Sequence, residues 1–518
     1  MTLSSVPADV RRLLGRTALM ASCRLLMVPM YALALPAADS VPTQTAVVRA
    51  LDLDVNETQA IKLADDTSVA IQLLRVEETR DPMRDAVRQA RVHLMLNGQP
   101  LVLTSATYHL PVTFAGVQID CPITKGHVGN SSEGNAWGLR KDARLRLWPA
   151  GAPWIEPGSF VYPLKQRWFA GHTQMANEPS FVDGGEAPSN KKIYYHYGLD
   201  SGGAEGMVEV VAATAGRVIS SGNEVLPGYD DSPVKPRYDV VYLLDDRGWY
   251  YRYSHLQSID PAMRPDARVS LGQKVGVLGK EGGSGGWSHL HFDISSRQPS
   301  GMWGIQEGYA FLWQAYQRQY RPKLIAVARP HHFVFTGDKV VLDGTKSWSA
   351  SGRIARYDWT FTDGTTAGGP TAERTYARSG EYSEVLKVTD AQGEIAYDFA
   401  VVLVIDQAAP DRLPPTIHPA YAPTQNLQVG EPVTFKVRSF RTTFGQETWD
   451  FGDGTPKVNV KSDGNIEEHA KDGYAVTEHR FAKPGHYVVR VERTNEQGQR
   501  AVGHLHVHIE PGTAKTQK

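Results

Sequence analysis

The amino-acid sequence predicts a multidomain, mainly β protein. Its 518 residues are too many for a single hydrophobic core, because a domain usually contains about 100 to 200 residues. Short runs that alternate apolar and polar residues, bounded by Gly, Pro and Asn, recur along the chain and are typical of strands. A segment of the last third of the chain occurs twice, which indicates two copies of one small β module.

The first 38 residues predict a secretory signal peptide (1–38). Four arginines, among them Arg11 and Arg12, precede the apolar stretch LLMVPMYALALPAA. This stretch is too short to span a bilayer but has the length of a signal-peptide core. Cleavage between Ala34 and Ala38 would release a protein without stable membrane insertion. We therefore expect an exported protein that is periplasmic, at the cell surface or extracellular.

Charge and cysteine content limit the function classes. The chain has 55 Lys and Arg against 56 Asp and Glu, a formal net charge of −1, which is not typical of a nucleic-acid-binding protein. Of its two cysteines, Cys23 lies in the predicted signal peptide and only Cys121 would remain. No intramolecular disulfide is then expected, so hydrophobic cores and a metal would hold the exported chain together.

Two β domains are predicted before the repeated segment. Residues 39–163 contain strand-like runs such as ARVHLMLNG and PLVLTSATYHL, and we predict an N-terminal β domain of unknown role. Residues 164–322 also consist of strands and loops and end on YAFLWQAYQRQY. The aromatic stripe of this last stretch predicts a helix packed against a core.

The repeated segment predicts two C-terminal β-sandwiches. YDWTFTDGT at Tyr357 to Thr365 matches ETWDFGDGT at Glu447 to Thr455, and TYARSGEY matches RFAKPGHY. These residues resemble PKD-type β-sandwich modules, which implies one module over 323–407, a second over 408–512 and a short tail, 513–518. The modules are candidates for binding a polysaccharide or a protein.

The stretch WSHLHFDI places two histidines one residue apart in an apolar run. Because side chains alternate along a strand, one set points to a core and the other set shares one space. The core set is Leu290, Phe292 and Ile294, and the shared set is His289, His291 and Asp293.

A similar alternation occurs in GHLHVHIEP, which serves as an internal comparison. His504, His506 and His508 lie on the last predicted strand of a repeat module, with no second histidine motif nearby in the sequence. We expect this face to be solvated rather than to bind a metal. A His-x-His pair is therefore a weak signal when it stands alone.

Two further motifs accompany WSHLHFDI, namely YYHYGLD (Tyr194 to Asp200) and YRYSHL (Tyr251 to Leu256). His196 and Asp200 are four residues apart, a spacing that can bring both to one face of a strand or turn. Together with His291 they would supply two nitrogens and one oxygen to a zinc ion and leave a fourth tetrahedral position open. An open position is typical of a catalytic zinc site.

The three motifs, in this order, resemble the lysostaphin-type zinc metalloendopeptidases, which cleave peptide bonds of bacterial cell-wall peptidoglycan. The resemblance extends from about 193 to 294 and includes AATAGRVISSGN and VSLGQKVGVLGKEGGSGG. It implies an antiparallel β peptidase domain with one Zn²⁺ held by His196, Asp200 and His291. The two catalytic histidines that do not bind the metal fall on His255 and His289.

The resemblance leaves several roles open. Tyr194 and Tyr195 are both candidates for the oxyanion-stabilising tyrosine of these enzymes. The sequence has no His-Glu-x-x-His helix, so proton transfer or stabilisation of the tetrahedral intermediate falls to His255 and His289, without a choice of which is the base. Two departures from the family, the long segment NEVLPGYDDSPVKPRY and the pair Trp287-Ser288, are expected to border the substrate groove.

The sequence as a whole predicts an exported zinc metalloendopeptidase that hydrolyses peptide bonds in peptidoglycan cross-links or in another glycine-rich polypeptide. Two alternatives come from other function classes. One is a non-catalytic cell-wall-binding or regulatory protein that retains the peptidase fold. The other is a surface adhesive protein that acts through its repeat modules.

Overall fold

The computed structural model of the chain describes residues 42, 44–129, 131–171, 174–176, 188 and 193–511. The predicted signal peptide, Cys23 and the predicted tail lie outside these residues. About 46% of the described residues are in strands and 4% are in helices, which confirms the mainly β class. None of the helices in the described ranges has the length and apolar character needed to cross a membrane.

The N-terminal part is built from eight strands and one short helical turn. Its elements are β1 (Arg49–Leu53), β2 (Thr58–Lys62), β3 (Ser68–Arg80), β4 (Val87–Leu96), β5 (Gln99–Ser105), β6 (Val112–Phe114), β7 (Val117–Thr124), α1 (Gly126–Gly129) and β8 (Ala143–Pro149). They form two four-stranded sheets with the orders β1-β8-β7-β6 and β2-β3-β4-β5.

The two N-terminal sheets enclose a common apolar core. Alternate residues of β3, including Val69, Ile71 and Leu73, are fully buried there, as the period of two along a strand requires. Cys121 is buried in the same core, and burial raises the pKa of its thiol to about 12. The thiol is therefore protonated and unreactive at neutral pH. The domain boundary after residue 163 stays a prediction.

In the described residues of the next part there are twelve strands and the longer helix. Its elements are β9 (Gln174–Ala176), β10 (Leu199–Gly202), β11 (Glu209–Val211), β12 (Gly216–Ser221), β13 (Glu224–Val225), β14 (Val241–Leu244), β15 (Tyr250–Ser254), β16 (Leu256–Ile259), β17 (Arg268–Val269), β18 (Lys274–Leu278), β19 (His289–Arg297), β20 (Trp303–Ile305) and α2 (Tyr309–Tyr320).

Strand β19 lies in the middle of the main antiparallel sheet of this part. The sheet has the order β13-β12-β14-β15-β19-β10-β9, with β17 added beside β12 and β20 beside β19. A smaller sheet, β11-β18-β16, packs on the same core. The predicted helix is present as α2, and its aromatic stripe, with Phe311 and Trp313, is buried. The central position of β19 puts its side chains next to those of β10 and β15.

The alternation predicted for β19 is present in the structure. Leu290, Phe292 and Ile294 are at most 3% exposed and belong to the main core. Leu290→Ala is therefore expected to lower the free energy of unfolding by about 2–5 kcal/mol, through lost burial and a residual cavity. Urea unfolding of the full chain measures this, with Val102→Ala at an exposed position as the control. A loss below about 1 kcal/mol would contradict burial of Leu290 in a rigid core.

Sixteen strands form the C-terminal part, nine in the first module and seven in the second. The first module contains β21 (Leu324–Ile325), β22 (His332–Phe335), β23 (Lys339–Asp343), β24 (Trp348–Ser349), β25 (Ile354–Thr360), β26 (Thr366–Gly368), β27 (Thr371–Thr375), β28 (Gly380–Asp390) and β29 (Ile395–Ile405). The second contains β30 (Thr416–Ala422), β31 (Val433–Phe440), β32 (Glu447–Asp450), β33 (Val458–Val460), β34 (Ala475–His479), β35 (Gly485–Thr494) and β36 (Arg500–Ile509).

Each module has its own core, and the two copies of the repeated motif occupy equivalent places. Trp359 and Trp449 are both fully buried, each in a separate cluster of apolar side chains. The modules nevertheless share one nine-stranded sheet, because β28 of the first pairs in parallel with β36 of the second. The repeat alone gave no indication of this continuous sheet.

The expectation of a solvated face on β36 is wrong. His504 and His506 are only 5% and 9% exposed, and His508 is half-buried. His504 stacks on Phe399 of the first module, and His506 contacts Tyr397. Burial lowers the pKa of His504 to about 3, so its ring is neutral. The alternation along β36 is real, but its polar face packs against the neighbouring module instead of water.

Candidate metal centre and adjacent histidines

The segment before β10 brings His196 and Asp200 together. Gly198 between them has a φ of +83°, and a Cβ at this position would lie 2.7 Å from the carbonyl oxygen of Phe292. Only glycine permits both this left-handed backbone and the close approach to β19. The resulting turn places His196 Nε2 3.0 Å from Asp200 Oδ1.

His291 reaches the same point from the neighbouring strand. It is directly opposite Asp200 in the register of β10 and β19. Its Nδ1 lies 2.9 Å from Asp200 Oδ1 and 3.1 Å from His196 Nε2. The three side chains are between 1% and 5% exposed. The predicted ligand set is thus assembled as one buried triangle of two nitrogens and one oxygen.

The triangle fits a zinc ion. Zinc bonds of about 2.0–2.1 Å in a tetrahedral site require ligand atoms roughly 3.3 Å apart, slightly more than the 2.9–3.1 Å separations found here. Imidazole nitrogens with a carboxylate oxygen are also the donor types that zinc prefers. Among the described residues, these three form a group of potential metal ligands, and their ligand atoms all lie within 4.8 Å of one another.

Neighbouring carboxylates orient His291. Its Nε2 lies 3.1 Å from Asp293 Oδ2, and because a carboxylate only accepts hydrogen bonds, this nitrogen carries the hydrogen. The lone pair of His291 is therefore on Nδ1, directed at the triangle. Burial alone would lower the pKa of His291, but the charge of Asp200 together with the hydrogen bonds to Asp200 and Asp293 outweighs burial and raises it. Burial would raise the pKa of Asp200, yet the surrounding histidines hold it well below its usual range.

His289 lies beside the triangle with its ring fixed on two sides. Its Nδ1 donates a hydrogen bond of 3.0 Å to the carbonyl oxygen of Trp287, so the lone pair is on Nε2. That Nε2 is 3.4 Å from Asp200 Oδ2. The indole of Trp287 stacks on the imidazole with ring centroids 3.7 Å apart. Burial holds the pKa of His289 well below its ordinary value, so the ring is neutral at pH 7.

His255 approaches from the end of β15, with its ring centroid 4.5 Å from that of His289. Its φ of +67° is unusual for a residue with a Cβ, and such strain is often found at functional sites. The backbone N–H of His255 donates to Asp239 Oδ2 at 2.8 Å, and its Nδ1 donates to the carbonyl oxygen of Glu281 at 2.6 Å. Burial lowers the pKa of His255, which also favours a neutral ring with its lone pair on Nε2.

The structure adds residues that sequence reasoning did not select. Asp239 fixes the backbone of His255 and is itself paired with Arg237. Tyr197 lies with its ring centroid 5.7 Å from that of His291. Arg237 belongs to NEVLPGYDDSPVKPRY, and Asp239 follows that segment directly, so its unusual length was the available signal. Nothing in the spacing of Tyr197 distinguished it from Tyr194 and Tyr195.

The two predicted tyrosine candidates have different surroundings. The hydroxyl of Tyr195 accepts a hydrogen bond of 2.9 Å from the backbone N–H of Val87, and its ring packs with Ala86 and Val87 of the N-terminal part. Tyr195 is therefore directed away from the triangle, and its proposed oxyanion role is not supported. Tyr194 is adjacent, with its ring centroid 6.2 Å from that of His196, and burial raises its pKa.

Trp287 and Ser288 do not border an open groove, contrary to expectation. They are 2% and 5% exposed and lie against the second C-terminal module. The Trp287 ring forms an apolar cluster with Phe440, and the Ser288 backbone N–H donates to Tyr474 Oη at 2.7 Å.

Three segments of the chain match known protein families. Residues 194–301 match peptidase family M23, and residues 322–403 and 420–504 each match the PKD domain. A curated relative, Collagenase ColA of Clostridium perfringens (strain 13 / Type A), is 32% identical over 81 residues. This match covers 16% of the present chain and 7% of the length of that relative.

Two solved structures are among those found in a search by similarity. The catalytic domain of the prophage-encoded M23 protein EnpA from Enterococcus faecalis is 19% identical, with 30% of this chain and 93% of that chain covered and a TM-score of 0.18. Csd3 of Helicobacter pylori is 15% identical, with 51% of this chain and 82% of that chain covered and a TM-score of 0.20. Such low TM-scores carry no argument about function. The family matches and the assembled triangle together show that the chain contains a peptidase family M23 domain followed by two PKD domains.

Proposed function

We propose that the protein is a zinc metalloendopeptidase that hydrolyses peptide bonds in peptidoglycan cross-links. The observation that carries the proposal is the buried triangle of His196, Asp200 and His291 inside an M23 domain, with His289 beside it. A binding protein would gain nothing from two further neutral histidines held next to such a set. This argument favours an enzyme over the two non-catalytic alternatives.

His196 Nε2, Asp200 Oδ1 and His291 Nδ1 would hold the zinc ion. When bound, zinc supplies Lewis acidity that polarises a scissile carbonyl and lowers the pKa of water to about 7. The hydrogen bond from His291 Nε2 to Asp293 keeps the His291 lone pair on the required nitrogen.

His289 is our choice for the base. Its Nε2 has the lone pair, is 3.4 Å from Asp200 Oδ2 and belongs to a neutral ring at pH 7. It would accept the proton of the water whose oxygen attacks the carbonyl carbon. It would then return this proton to the amide nitrogen as the C–N bond breaks, which leaves a carboxylic acid and an amine, and a proton transfer between these two products gives the carboxylate and the ammonium.

His255 would assist from its position next to His289. Its Nδ1 is anchored on the Glu281 carbonyl and its backbone on Asp239, so its Nε2 is held in a fixed direction. A preorganised imidazole of this kind can stabilise charge that develops on the substrate.

We also infer that the protein is exported to a compartment that contains cell wall. This inference rests on the N-terminal arginines and the apolar stretch that follows them.

Digestion of purified peptidoglycan tests the proposal. The full chain should contain about one equivalent of zinc and release peptides that mass spectrometry identifies by their new termini. Activity should disappear with a chelator and return with zinc. His93→Asn, which changes a histidine of the N-terminal sheet, should behave like the parent protein. Absence of zinc would contradict the metal centre, whereas zinc without released peptides would contradict the substrate.

A further inference from the structure

The segment between β18 and β19, residues 279–288, is referred to as the glycine loop. It contains five glycines and leads directly into His289. Glycine loses more conformational freedom on folding than any other residue, so such a loop has little rigidity of its own. His289 itself belongs to β19, but the placement of Trp287 and Ser288 just before it depends on what holds the loop.

The second PKD domain holds the backbone of the glycine loop through side-chain hydrogen bonds. Five side chains of this domain contact backbone atoms of four residues in the loop. The contacts are His469 Nε2 with Gly282 O at 2.7 Å, Glu468 Oε1 with Gly285 N at 3.1 Å, Asn465 Nδ2 with Gly285 O at 3.1 Å, Arg438 Nη1 with Gly286 O at 2.6 Å, and Tyr474 Oη with Ser288 N at 2.7 Å.

Two features show that this contact is specific. Gly286 has a φ of +85°, and a Cβ there would lie 2.1 Å from Asn465 Oδ1, so the fit requires glycine. Arg438 is fully buried, and Asp463 holds its guanidinium through hydrogen bonds of 2.6 and 2.8 Å. The donor for Gly286 O is thus preorganised within the second PKD domain.

The contact continues from the loop to the imidazole of His289. The Trp287 side chain packs with Phe440 of the second module, and its ring centroid lies 5.4 Å from that of His418. It stacks on His289, whose Nδ1 also donates to the Trp287 carbonyl oxygen. Two of the contacts that orient the His289 ring therefore come from Trp287, and Trp287 packs against the second PKD domain.

We propose that the second PKD domain is part of the peptidase site, with Tyr474 and Phe440 as positioning residues that act through Trp287 on His289. The proposal has two parts. The structural part is that the second PKD domain determines the environment of Trp287, and it does not depend on the proposed function. The kinetic part is that this contact affects turnover, and it rests on the proposed function. A repeat module thereby has a role in this chain other than that of a spacer.

Fluorine NMR of the full chain labelled with 5-fluorotryptophan tests the structural part of the proposal without an activity measurement. The chain has 11 tryptophans, and the resonance missing from Trp287→Phe assigns Trp287. Tyr474→Phe removes the acceptor for Ser288 N–H but keeps the ring, and Phe440→Ala removes the aromatic side chain that packs with Trp287. Both variants should shift or broaden the Trp287 resonance. The control Tyr487→Phe removes a hydroxyl of the same domain that donates to Lys483 O, and should leave the resonance in place.

Turnover measured on the same preparations tests the kinetic part of the proposal. In Tyr474→Phe and Phe440→Ala, kcat should fall about threefold to tenfold with KM changed less than about twofold, because misplacing a catalytic group lowers turnover more than binding. Zinc content should stay unchanged. An unmoved Trp287 resonance in both variants would overturn the proposal, and so would a moved resonance with unchanged kcat. If the parent protein itself shows no turnover, the proposed function is wrong. The NMR result then still shows whether the second PKD domain determines the environment of Trp287.

Discussion

Replacing His291 with asparagine is expected to remove the bound metal and, with it, all peptidase activity. His291 Nδ1 supplies one corner of a triangle whose other corners lie 2.9 and 3.1 Å away, and three side chains leave no spare ligand. Loss of a residue that merely orients a ligand already weakens metal binding by about 10–100-fold, so loss of the ligand should exceed this range. Elemental mass spectrometry of the purified variant measures the zinc content directly.

The fold of the His291→Asn variant must be checked separately. Urea unfolding of the metal-free variant and of the metal-free parent should give similar midpoints, because asparagine is smaller and can still bond Asp200. A variant that keeps about one equivalent of zinc and full activity would show that His291 is not a ligand. If the His291→Asn variant does not fold without metal, His196→Asn is used in its place, because it removes the other nitrogen ligand of the triangle.

Replacing His289 with asparagine is expected to separate catalysis from metal binding. The Nε2 of His289 lies near Asp200 Oδ2, but the triangle is complete without it. The variant should keep about one equivalent of zinc while kcat falls by about 10²–10⁴, the range for loss of a general acid or base. Zinc content and turnover are measured on the same preparation as for His291→Asn.

The pair of variants forms its own control, because both histidines lie on one face of β19. Equal loss of metal from both would contradict the division between ligand and base. Retained activity in both would contradict the enzyme itself. Loss of kcat in His289→Asn accompanied by a displaced Trp287 would show that the stacked pair acts as a unit, since the indole loses its partner ring.

The larger part of the candidate site could be predicted from order and spacing along the chain. A strand has a period of two, so WSHLHFDI determined that His289, His291 and Asp293 share a face. The resemblance of three motifs then assigned His196, Asp200 and His291 to one set, which the structure brings within 3.1 Å. The sequence left Tyr194 and Tyr195 open as tyrosine candidates, and it could not show that the Tyr195 hydroxyl bonds the backbone of Val87, more than 100 residues away in sequence.

The sequence by itself determined the mainly β class, the helix α2, the two repeat modules and the faces of β19, because each depends on local periodicity or on repetition. Only the tertiary structure decided what covers each face. His504 and His506 alternate as predicted, yet the first PKD domain buries them, and Trp287 is buried by the second. Alternation states which side chains point the same way, but the free energy of burying that face depends on the surface that meets it, and here that surface comes from another domain.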